Sequence, residues 1–194
     1  MKEPLYIFLR PIIRVLMKSL FRIEYVNQKN IPKNGSYILV GNHKSNFDCA
    51  TVIASCNRVV HFLAKKELLD SKLGFFFKWM GIIPVNRKTR NKEAMNSARD
   101  VLNNKGVIGI FPEGTFNKTE YVIMPFKMGT VKLAFDTKAS IVPFAIVGDY
   151  KLFRKTKIIF GKPYKIKTMD LKGENITLMN KVIRLMRNEY NRED

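Results

Sequence analysis

Cysteine is nearly absent from this 194-residue chain, and the two present, Cys49 and Cys56, lie seven residues apart. If the segment between them is helical, their Cα atoms are roughly 10 Å apart, beyond disulfide reach. A disulfide framework is therefore excluded, and a reducing, cytosolic setting fits. Acidic residues are also scarce: 16 against 35 lysines and arginines, for a formal charge of +19. Such a surface attracts anions, among them nucleic acid, anionic lipid and phosphorylated small molecules. There is no long uncharged apolar run near the amino terminus, where Leu5 to Ile23 is broken into stretches of five residues or fewer by Arg10, Arg14, Lys18 and Arg22. A spanning helix needs about 18 or more apolar residues, so none is expected there. Low-complexity segments and internal repeats are missing too, and 46% of the residues are hydrophobic, which favours one packed domain over disorder.

What is present at the amino terminus is a basic residue at every fourth position. Steps of four drift only about 40° around a helix, so the bases share one side and Leu, Ile, Phe, Met and Val cover the rest. Residues 1–30 are read as an amphipathic helix for membrane association, lying on the cytoplasmic face of an anionic membrane without crossing it. A core-packing helix with a solvated basic edge is the competing reading. Pro11 fits best in a first turn, placing the start of regular helix there.

Residues 31–194 read as a single α/β domain, a mixed sheet flanked by helices. Short apolar runs at 36–41, 59–64, 82–85, 107–111, 141–147 and 157–160 are expected strands. Helical spacing is expected over 47–56, 65–80 with a break near Gly74, 91–104, 129–136 and 175–190. Alternating strands and helices place ligands at the carboxyl ends of the strands, and three polar turns follow expected strands.

In the first turn, Asn42–Asp48 (NHKSNFD), a His and an Asp lie five apart, so they meet only if the chain bends between them. Ser45 and Asn46 supply that bend. A carboxylate on one imidazole nitrogen makes the other a base able to take a proton from a substrate hydroxyl. The same residues, Ser45-x-x-Asp48, also spell a helix capping box. The second turn ends the run Gly81–Arg87 (GIIPVNR), where the Arg87 guanidinium suits a phosphate held by two hydrogen bonds. The third is Phe111–Thr115 (FPEGT), with Gly114 allowing close backbone approach to a ligand, Thr115 a hydroxyl and Glu113 a carboxylate. In the run Ile141–Ala145, Pro143 reads as an edge or bulge position lining a site. Zinc-finger spacing, aromatic RNA-binding signatures and basic zipper helices are all missing, so no nucleic-acid partner is expected. His43, Cys49, Cys56 and His61 match no common zinc pattern, so no metal is expected either.

Taken together and in this order, NHKSNFD, GIIPVNR, FPEGT and IVPFA resemble the four blocks of the glycerolipid acyltransferase family that includes 1-acylglycerol-3-phosphate acyltransferases. The linking segments His61–Leu68 and Pro125–Ala134 are similar as well. The resemblance implies a glycerol-3-phosphate acyltransferase-like fold. It implies His43 as general base and Asp48 as its partner, with the substrate alcohol attacking the thioester of acyl-CoA or acyl-carrier protein and no cofactor required. Arg87, Glu113, Gly114 and Thr115 would bind the glycerol phosphate of lysophosphatidic acid, and Lys65 would hold phosphate or the tetrahedral oxyanion. Where the family's third block often continues with Arg, this chain has Phe116, leaving Lys118 or Lys127 to supply the charge.

Overall fold

The computed structural model describes residues 3–70, 72, 74–75, 80–85 and 92–191. Seven strands form one mixed sheet: β1 (Glu24–Val26), β2 (Tyr37–Val40), β3 (Val60–Lys65), β4 (Ile83–Val85), β5 (Val107–Ile110), β6 (Ser140–Val147) and β7 (Lys157–Phe160). Their order across the sheet is β1-β7-β6-β2-β5-β3-β4, parallel throughout except for the antiparallel pair β6 and β7. The central strands read as unbroken apolar runs because both faces of the sheet are covered.

Successive residues of each strand point to opposite faces. Ile38 and Val40 of β2 therefore join Ile108, Ile141, Ala145 and Val147 in one core, with Tyr37, Leu39, Val142, Phe144 and Ile146 in the other. Three helices cover the first face: α4 (Lys92–Asn103) through Ala94, Ala98 and Leu102, α5 (Gly129–Thr137) through Val131 and Leu133, and α6 (Leu171–Tyr190) through Leu178, Val182 and Met186. The second face is covered by α1 (Pro4–Leu20) through Tyr6 and Met17 and by α2 (Phe47–Ser55) through Val52 and Ile53. Of the helix expected over 65–80, α3 accounts for Lys66–Leu69, and 71, 73 and 76–79 lie outside the described residues.

Two expectations are corrected and a third is narrowed to one of its alternatives. The first helix starts at Pro4, which takes the first-turn proline role, and runs on through Pro11. An interior proline withholds one intrahelical donor and crowds the preceding turn, a cost the helix carries here. Second, residues 24–26 form β1, which pairs with β7, so residues 1–30 contribute a strand as well as a helix to the main body. A three-residue edge strand is too short to show a period-2 pattern. Third, Pro143 does not sit on an edge, because β6 lies between β7 and β2. It stands instead at a bulge. The antiparallel register slips by one residue between Phe144 opposite Phe160 and Ile141 opposite Tyr164, and the Pro143 carbonyl accepts from Gly161 N–H at 2.8 Å. A proline is tolerated where the ladder is already broken.

Candidate active site

The chain leaves β2, β5 and β3 at the same end of the sheet, and these strands are neighbours in the order β2-β5-β3. That adjacency brings the turn after Val40, the turn after Ile110 and Lys65 together although they are far apart in sequence. An open groove of about 300 Å³ forms there, lined by His43, Lys65, Met95, Phe111, Gly114 and Lys127 among others.

Every part of His43 is fastened. Its Nδ1 lies 2.8 Å from Asp48 Oδ2, and the Asp48 side chain is fully buried. The backbone N–H donates to Glu113 Oε1 at 2.8 Å, and the backbone carbonyl accepts from Asn117 N–H at 2.8 Å. The ring stacks on Phe111 at 4.0 Å, 11° from parallel, while Phe116 meets it edge-on at 4.5 Å. With Nδ1–H committed to the carboxylate, Nε2 carries the lone pair, on a side chain still 16% exposed.

The two readings of Asp48 turn out to concern one atom. Oδ2 accepts from His43, from Lys44 N–H at 2.7 Å and from Ser45 N–H at 2.8 Å. The reach back to Ser45 N–H is half of a capping box. The other half is absent, since Ser45 Oγ accepts instead from Phe47 N–H at 3.2 Å. Tyr150 closes the far side, its hydroxyl 2.9 Å from Thr51 Oγ1. Burial and then the Asp48 charge hold that phenol far above the usual tyrosine range.

The other expected site residues separate into groups. Gly114 lines the groove in a left-handed conformation, φ 75°, and a Cβ built there would come within 2.5 Å of Lys127 Nζ. Only Gly adopts that backbone freely, and its openness lets the amine lie across the turn. Lys65, the last residue of β3, lines the same groove. Thr115 is exposed beside it. Arg87 lies outside the described residues. Glu113 is only 4% exposed, and its two oxygens accept from His43 N–H and, at 2.9 Å, from Met124 N–H. Its position is that of a brace between loops, behind the groove. Burial raises its carboxyl above the usual value, against the lowering effect of the two donors.

Two contributors carry no signal in composition or spacing. Asn42, 5% exposed, accepts from Ile146 N–H at 2.8 Å and donates to Ile146 C=O at 3.0 Å, tying the end of β2 to β6. Asn117 fixes the His43 carbonyl through its backbone N–H, which any residue type except proline could do. The residues considered for a metal go separate ways. Cys56 Sγ lies 3.3 Å from Tyr37 Oη, and His61 Nδ1 lies 2.9 Å from the Gly81 carbonyl. Burial and the neighbouring Asp48 push the Cys49 thiol up to about 12.

Comparison with known proteins identifies the family and the fold. The family model "Acyltransferase" matches residues 22–147. A 1-acyl-sn-glycerol-3-phosphate acyltransferase of Bacillus subtilis is 28% identical over 166 residues, covering 82% of this chain and 82% of that protein. One of Borreliella burgdorferi is 32% identical over 160 residues, covering 80% of this chain but 63% of the longer relative. The crystal structure of the 1-acyl-sn-glycerophosphate acyltransferase of Thermotoga maritima superposes with a TM-score of 0.75 at 18% identity, over 94% of this chain and 78% of that one.

Proposed function

This chain belongs to the acyltransferase family, and from that premise we propose that it moves a fatty acyl group from a thioester to the sn-2 hydroxyl of lysophosphatidic acid, forming phosphatidic acid. The observation that carries the reading is the His43 imidazole, bonded through Nδ1 to buried Asp48 beside a groove that two lysines line. Nε2 takes the proton of the acceptor hydroxyl as its oxygen attacks the thioester carbonyl. The new C–O bond creates a tetrahedral oxyanion, for which the Lys65 ammonium is the nearby cation of choice. Collapse breaks the C–S bond, and the departing thiolate recovers the proton from His43. No resident cofactor takes part, the thioester being a co-substrate.

Lys127, whose amine lies across the Gly114 turn, supplies the charge for the acceptor's phosphate that Phe116 does not. Phe116 itself keeps water from one edge of the imidazole. Its presence supports a second acceptor reading within the same chemistry, a different lysolipid or glycerol phosphate. For the donor, acyl-carrier protein and acyl-CoA are both anionic and both suit a chain of charge +19.

We place the enzyme at the cytoplasmic membrane face, held peripherally. Among the described residues no helix is long and apolar enough to cross a membrane. On α1, Phe8, Ile12, Val15 and Leu16 are exposed within about 100° of arc, opposite buried Tyr6 and Met17. Arg10, Arg14 and Lys18 run along the flank between those faces, an arrangement suited to an anionic interface.

The test is release of free thiol from a long-chain thioester in the presence of lysophosphatidic acid. His43→Ala and Asp48→Asn are expected to lower turnover by about 10²–10⁴-fold. Equal thiol release by wild type and His43→Ala would defeat the assignment.

A further inference from the structure

The connection between β6 and β7 carries two large apolar side chains in solvent, Leu152 at 61% and Phe153 at 69% exposure. Phe153 is also held at φ 59°, a left-handed backbone in which a bulky aromatic residue is an outlier. A connection serving only to reverse the chain would place Gly or Asn there.

This tip is firmly placed. Phe153 N–H donates to the Leu20 carbonyl at the end of α1 at 2.8 Å, and Glu24 N–H donates to the Thr156 carbonyl at 2.9 Å. Lys155 pairs with Glu24 at 3.2 Å, while the Tyr150 ring stands edge-on to Phe21 at 5.5 Å. Toward the site, Lys44 Nζ donates to the Gly148 carbonyl at 2.5 Å and to Asp149 at 3.2 Å. Lys44 adjoins His43, and Tyr150 closes over the Asp48 helix. One short connection thus touches both the end of α1 and the catalytic turn, at the end of the sheet where β2, β5 and β3 deliver their site residues.

We propose that Leu152 and Phe153 form a second lipid-inserting wedge, which docks the catalytic end of the molecule on an anionic bilayer. The proposal rests on the acyl-transfer reading for its purpose, since an acceptor with a fatty chain must be drawn from lipid, but not for its binding arm. Charge selects the partner. The connection itself carries Lys151, Arg154 and Lys155, and Lys18 and Arg22 flank in sequence the Leu20 to which Phe153 is bonded, five bases against Asp149 and Glu24, which fits anionic headgroups around an inserted apolar tip. Leu16 and Leu20, exposed at the end of α1, carry the apolar surface up to the wedge.

The experiment compares the full-length parent with the double variant Leu152→Asn, Phe153→Asn. Asn adopts the left-handed backbone readily, and the Phe153 amide bond to Leu20 survives the change. Cosedimentation with vesicles of phosphatidylcholine and phosphatidylglycerol is expected to show roughly tenfold weaker binding by the variant. Thiol release with lysophosphatidic acid presented in those vesicles falls in parallel, while release with a short-chain acceptor below its micelle concentration stays at the parent's rate. Equal vesicle binding by the two proteins overturns the wedge. So does an equal loss with the soluble acceptor, which would assign the loop to the chemistry, and so does a parent dimer that the variant dissociates, which would assign the tip to a second copy of the chain. If neither protein releases thiol, it is the acyl-transfer reading that fails, and the vesicle arm still decides the wedge.

Discussion

Glu113 shows how much a single buried side chain can do for the turns around it. Its two carboxylate oxygens serve two backbone donors, His43 N–H and Met124 N–H, so it spaces the base-bearing turn from the loop that leads to Lys127. A carboxylate meets both needs because both of its oxygens accept. In Glu113→Gln one of those positions becomes an NH₂ facing an N–H, so a bond is lost and a buried donor is left unsatisfied. We expect a loss of about 1–3 kcal/mol in denaturant unfolding, together with lower turnover as His43 loses its tether. The pH dependence identifies the cause. Burial raises this carboxyl above the ordinary carboxylate value, so between those two values the folded state holds a proton that the unfolded chain has released. Stability from this group therefore falls as pH rises through that window. Glu113→Gln, having no proton to exchange, lacks that fall, so the stability advantage of the parent over the variant should narrow as pH rises through the window, measured as the unfolding midpoint against pH. Equal slopes in the two proteins would remove Glu113 from this role.

At the scale of elements, strands and helices with strong periodicity were readable in the sequence and their boundaries less so. The apolar runs at 107–111 and 141–147 became β5 and β6, and the Ala94, Ala98 and Leu102 spacing became α4. The last helix begins at Leu171, four residues before the expected start at residue 175. Gly173 in the first turn obscured it, since Gly disfavours helix. What offsets Gly173 is Asp170, whose side chain accepts from the Gly173 amide at 3.0 Å, in the manner of an N-cap. Asp170→Ala is accordingly expected to cost about 1 kcal/mol of stability. Amide exchange should quicken in the first turn of α6 and remain slow around Leu178 and Val182, which are buried against the sheet. Exchange rising equally along the whole helix would mean that packing, not the cap, is what the change disturbs. In the site, His43 and Asp48 were legible because five residues with a bend bring them together. Glu113 was legible as a residue, but its hydrogen bond to His43 N–H was not, because that bond depends on β5 lying beside β2, a pairing no local pattern specifies.

For the whole molecule, the charge of +19 acts over distances that individual contacts do not. Internal ion pairs leave it unchanged, since each joins a base to an acid already counted in the net charge, and several of those described join groups that are largely exposed, such as Lys151 with Asp149 and Lys155 with Glu24. Exposed pairs of this kind contribute little to stability, so the excess of bases is better accounted for by what the protein meets than by how it folds. Under the proposed function a phosphorylated acceptor, an anionic thioester donor and an anionic bilayer would all approach the same positive field. Screening separates the role of that field from the role of the site. The Debye length shrinks from about 10 Å at 0.1 M salt to about 3 Å at 1 M, whereas the short bond between His43 and buried Asp48 lies largely inside it. With a soluble acceptor, raising the salt is therefore expected to increase KM for the thioester donor several-fold while kcat changes little. A fall in kcat at constant KM would place the salt-sensitive step in the chemistry instead, and would separate the basic surface from donor capture.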